Sequence, residues 1–90
     1  MDDLMNKIDE SLNYMYANAK THVFQHRCSV LKDRINMIKT QDMDKELLDR
    51  VCFNLIYDVE RLKESPDQKK TVYIEIDNLL KYLNELKNLD

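Results

Sequence analysis

Ala19-Lys20-Thr21-His22-Val23 contains neither proline nor glycine, and Thr21 is its one residue with a side chain suited to capping a helix. Upstream, apolar residues recur at alternating steps of three and four: Met5, Ile8, Leu12, Met15, Ala19. Downstream the same rhythm resumes as Phe24, Cys28, Leu31, Ile35, Ile38. Such spacing holds one face of a helix against a partner, and no strand shows it. The step from Ala19 to Phe24 is five. At about 100° per residue, the apolar stripe therefore jumps to a new face there instead of drifting slowly as in a regular coil. Either the chain turns tightly, or one long helix over residues 2–39 presents its two halves to different partners. The missing turn chemistry favours continuity, so a single helix about 57 Å long is expected. The alternative is an up-down four-helix bundle with a break near residues 19–23.

Two more seams follow, Leu48, Cys52, Leu55, Val59, Leu62 and Val72, Ile76, Leu79, Leu83, Leu86. They predict a helical hairpin over residues 43–64 and 66–88. At its turn, Ser65-Pro66-Asp67-Gln68 reads as a helix start: Ser65 as the cap, Pro66 in the first helical position, Gln68 completing a capping box. Thr40-Gln41-Asp42 interrupts the pattern between the second and third seams. Asp42 is the expected cap of the third, with Asp44 and Glu46 favourable at the positive end of the helix dipole. The 90 residues make one all-α domain, a small helical bundle over residues 1–90.

Composition excludes several function classes. With Gly 0, no glycine-rich loop can cradle a phosphate, which removes P-loop and Rossmann nucleotide sites. Pro 1, 43% hydrophobic and 34% charged residues describe a chain too apolar for disorder and too poor in turn formers for a many-stranded sheet. The stretch Met1–Lys7 is acidic where a signal peptide is basic, and no apolar run approaches a bilayer's thickness, so a cytoplasmic protein with no membrane partner is expected. Cys28 and Cys52 both fall on seams, and reduced core thiols are the expectation. Net charge is −3, unevenly distributed. Residues 20–39 carry Lys20, Arg27, Lys32, Arg34 and Lys39 against Asp33, a basic segment between acidic ones. Antiparallel neighbours account for that pattern more simply than a nucleic-acid footprint does.

A long first helix leaves Met5, Ile8, Leu12 and Met15 uncovered, and an uncovered stripe must find another chain, which predicts a homodimer. Phe53, Ile56 and Tyr57 lie at i, i+3, i+4 on the third helix, away from its seam. They either pack under the first helix or anchor a protein partner. His22, His26, Ser29 and Asp33 share one helical face. Two histidines at i, i+4 are too few ligands for a metal site, and a mid-helix serine has its neighbouring amides consumed by the helix, so neither a metal centre nor a triad is read there. No cofactor and no enzymatic activity are expected. The reading is a non-enzymatic protein–protein interaction module, a homodimeric bundle that binds and modulates, as an inhibitor or otherwise, a protein partner. The alternative is a nucleic-acid-associated regulator acting through the basic 20–39 segment.

Overall fold

Residues 18–21 reverse the chain. A computed structural model describes residues 2–89, with side chains from Asp3 onward, and consists of four helices: α1 (Asp2–Ala17), α2 (His22–Thr40), α3 (Lys45–Leu62) and α4 (Lys70–Lys87). The single helix over 2–39 is therefore corrected to the four-helix alternative. The longest dimension of the molecule is 38 Å, well short of the length that helix requires.

Local chemistry supplies part of the turn. Asn18 closes α1, with both its backbone N–H and its side-chain amide donating to the Tyr14 carbonyl at 3.0 and 2.9 Å. Thr21 caps α2 by accepting from the Phe24 N–H at 3.2 Å. The decisive part arrives from the far end of the chain. The Gln68 side-chain oxygen accepts from the Lys20 N–H at 2.9 Å, and its amide donates to the Thr21 hydroxyl at 3.4 Å and to the Pro66 carbonyl at 3.2 Å. Gln68 is only 8% exposed. Continuity was expected because residues 19–23 lack turn formers; the partner they use lies 47 positions beyond Thr21.

The same commitment corrects the Ser65-Pro66-Asp67-Gln68 reading. These residues form the α3–α4 loop rather than a helix start. Lys69 occupies the cap position of α4 and makes no side-chain capping bond. Gln68 is occupied by the first loop and does not reach back, while Asp67 takes a left-handed backbone at φ 62°, a conformation aspartate tolerates better than most residues. Tyr73 holds the loop shut: its hydroxyl accepts from the Gln68 N–H at 3.2 Å and donates to the Ser65 carbonyl. At α3 the cap is Asp44, not Asp42, with its carboxylate accepting from the Leu47 N–H at 2.8 Å.

The seams become the core. Among the described residues, all eighteen buried apolar ones are seam positions, and Ala19 and Leu48 pack half-buried against them. α1 packs between α2 and α4, and α3 packs on α4. α1 and α3 stand diagonally, and α2 meets α3 only slightly. Met5, Ile8, Leu12 and Met15 are thus interior, because the turn brings α2 and α4 over the stripe that a continuous helix would expose. The uncovered arm, and with it the reason for placing self-association there, is corrected.

Leu12→Asp should accordingly unfold the protein. An unpaired carboxylate in the core costs more than about 4 kcal/mol, against a total of ~5–13 kcal/mol for a domain of this size. Far-UV circular dichroism should show loss of helicity in all four helices, whereas a folded monomer would place residue 12 outside the core. Gln68→Ala leaves the Lys20 N–H without its partner and should cost about 1–3 kcal/mol. The urea midpoint falls while the slope stays constant; an unchanged midpoint would mean the turn stands without its long-range tie.

Candidate functional site

Helix α3 carries the aromatic residues singled out above, and the bundle leaves two of them in solvent. Phe53 is 61% and Tyr57 57% exposed, while Ile56 is half-buried against the core. Packing under α1, one of the two expectations, does not occur, because α1 lies diagonally across the bundle from α3. Each exposed ring has a cation instead. Lys87 Nζ stands 5.7 Å from the Phe53 centroid, and the Arg61 guanidinium 5.9 Å from that of Tyr57. Both rings sit on a helix fixed along its opposite face by Cys52, Leu55, Val59 and Leu62, so they are presented on a rigid support. The remaining tyrosines lie at the edge of the core; Tyr73 and Tyr82 pack against it, and Tyr14 and Tyr16 are more open.

The basic residues of α2 divide between two sides of that helix. Lys39 pairs with Asp9 and Lys32 stands 5.1 Å from the Tyr16 ring, both on the α1 side. Arg34 pairs with Asp58 on the α3 side, and Arg27 lines the same side. Lys20 lies in the α1–α2 turn, where its backbone N–H bonds Gln68. Neighbouring helices thus take up two of the five cations as ion pairs, the arrangement expected of an antiparallel bundle, and the five do not form one continuous phosphate-binding face.

Where α2 and α3 diverge, a cleft of about 200 Å³ opens, with Val30, Leu31 and Leu62 among its lining residues and Arg27, Arg34 and Arg61 around it. The sequence pattern explains the gap. On α2, Val23, Arg27, Val30, Arg34 and Met37 form a stripe at steps of four and three, of which Arg27, Val30 and Arg34 line the cleft; on α3, Asp58 and Arg61 line it opposite them. Arginines in a seam carry a heavy desolvation cost, so this pair of stripes does not close as the leucine and isoleucine seams do. Val23, Val30 and Met37 remain exposed, as does Leu47. The periodicity reading missed this stripe because arginine occupies two of its five positions. The signal was nonetheless present in the seven-residue spacing of Val23, Val30 and Met37.

His22 and His26 are exposed in the first turns of α2, and His26 lies beside the cleft. Among the described residues, no group of three or more histidine, cysteine, aspartate or glutamate side chains is gathered closely enough to hold a metal ion. Cys28 and Cys52 are free and buried. Burial pushes both thiols from 9.0 up to about 11. At Cys28, Lys32 opposes that rise; at Cys52, Asp49 adds to it while Lys45 and Lys87 oppose it. Both are therefore protonated at neutral pH and make poor nucleophiles. No described helix is long and apolar enough to cross a membrane.

No family model, curated protein or solved structure matches the chain.

The thiols yield a test of the core. Their folded pKa values lie above the ordinary one, so their stabilising contribution is complete below pH 9 and is lost as pH rises towards 11. The loss is about 1.4 kcal/mol per thiol for each pH unit in that window. The urea midpoint should fall between pH 9 and 11, and less steeply in Cys28→Ala. At pH 8 an aromatic disulfide reagent should leave the native protein unmodified and label both cysteines in urea; rapid labelling of the native state would contradict the buried placement.

Proposed function

We propose that this protein is a non-enzymatic protein-binding module whose docking surface is the outer face of α3, centred on Phe53 and Tyr57. The observation that carries the reading is the exposure of two aromatic rings side by side on a rigid helix, with Ile56 half-buried beside them. Large rings contribute little to the bundle when they stand in water, yet they supply much of the energy when a partner buries them. Lys87 and Arg61 flank the rings as a polar rim. A partner that lays an apolar patch here loses little conformational entropy, because the helical support is already ordered. The effect on that partner is occupation of its surface, which makes a modulator or inhibitor the natural role. A second copy of the chain can use the same face, so the homodimer belongs to this surface rather than to residues 5–15.

Phe53→Ser with Tyr57→Ser separates binding from folding. The double variant should keep its urea midpoint to within about 0.5 kcal/mol, because surface substitutions cost little. Affinity capture from the source cells, run beside sedimentation equilibrium, should show proteins or self-association retained by the wild-type chain and lost in the variant. An identical interaction profile for the two chains would overturn the assignment.

A further inference from the structure

The cleft between α2 and α3 adjoins the aromatic face and differs from it in chemistry. Three observations define what fits there. Val23, Val30 and Met37 repeat every seven residues along α2, all exposed, and the α2 residues that line the cleft and the cavity adjoining it run from Val23 to Arg34, about 17 Å at 1.5 Å per residue. That is the length of about three helical turns, longer than a single inserted side chain would occupy. Val30, Leu31 and Leu62 provide apolar lining, Leu31 and Leu62 buried and Val30 exposed. Arg27 and Arg61 come from the two opposing helices, and among the described residues neither has a carboxylate within salt-bridge distance. Arg34, by contrast, is met by Asp58.

We infer that the α2–α3 cleft is a docking groove for an amphipathic helix of a partner protein, one bearing an apolar stripe and a carboxylate side chain placed between Arg27 and Arg61. Charge complementarity selects the acidic occupant. The cleft holds Arg27, Arg34 and Arg61 against one acid, Asp58; Arg27 and Arg61 also line the cavity towards the α3–α4 loop, where Glu64 and Asp67 stand on their other side. The partner's acidic residues therefore belong over the middle of the groove and not over its loop end. The apolar stripe of the incoming helix completes the seam that arginine keeps α2 and α3 from closing, the helix-in-groove mode of recognition. Guanidiniums on both walls suit a carboxylate, which they can hold by paired donors. The inference rests on the reading of the chain as a protein-binding module, but not on Phe53 and Tyr57.

The test uses the full chain and two synthetic 18-residue helical peptides with the same leucine stripe, one flanked by glutamate and the other by lysine. The glutamate peptide should bind, with backbone amide shifts centred on Arg27, Val30 and Arg61 in nuclear magnetic resonance spectra. In Arg27→Glu with Arg61→Glu its affinity should fall about tenfold or more. The lysine peptide should then bind that variant better than it binds the wild type, a reversal that a folding defect cannot produce. Equal binding of both peptides to the wild type, shifts centred elsewhere, or no binding of either would overturn the inference. Concentration-dependent self-association that shifts Val30 without peptide would assign the groove to a second copy and overturn it too. Phe53→Ser with Tyr57→Ser should leave the peptide affinity within about twofold; loss of the peptide there, with the cleft variant unaffected, would overturn the groove while leaving the aromatic surface standing.

Discussion

Gln68 ties together two loops that are far apart in the chain, and the architecture depends on that tie. Its side chain satisfies the Lys20 N–H and touches Thr21 and the Pro66 carbonyl, while its own backbone N–H is held by Tyr73. Buried polar groups are costly unless each is bonded, and here one nearly buried amide side chain satisfies donors and acceptors from both loops. With the turn at residues 18–21 held, α1 lies against α2 and α4, and Met5, Ile8, Leu12 and Met15 become interior. Without glycine, the sharp backbone at position 67 falls to an aspartate, and Tyr73 fastens the loop around it.

Two kinds of seam follow from that arrangement. Those joining α1 to α2 and α4, and α3 to α4, are built from aliphatic residues with Met, Phe and Cys, and they close. The α2–α3 seam carries Arg27, Val30 and Arg34 on one side and Asp58 and Arg61 on the other, and it stays open. One ion pair, Arg34 with Asp58, spans it. A partly exposed pair of this kind contributes little to stability and does not close the seam.

The four apolar seams were legible in the sequence almost residue for residue, because a period of three and four admits one buried face per helix. The third and fourth helices carry the seams the pattern gave them, but they run over Lys45–Leu62 and Lys70–Lys87 and so start two and four residues later than the expected 43 and 66. Two features were not legible. The turn at 18–21 draws its decisive partner from Gln68, and no window around Thr21 contains that residue. The helix start at Ser65 looked secure for the same reason in reverse: Gln68 has the right identity for a capping box but spends its side chain elsewhere. The aromatic pair was visible as a surplus apolar face on α3. Its exposure was not, since that depends on whether α1 lies beside α3 or across from it, and the turn decides this.

That dependence decides which apolar surface the fold leaves exposed. Had the chain run straight through residue 20, the stripe from Met5 to Met15 would have been the surface in need of a partner. By turning there, the bundle buries that stripe and moves its unsatisfied apolar area to the corner where α3 has only α4 as a close neighbour. Phe53 and Tyr57 on one side of this corner, and the arginine-rimmed cleft on the other, are consequences of the same geometry. Leucine in place of Arg27 would add apolar contact between α2 and α3 and remove a cation from the cleft, whereas leucine in place of Arg34 would leave Asp58 without its partner. An open, charged seam beside a well-packed core thus gives up some packing, and in the binding role we propose that loss is what leaves a charged surface able to discriminate.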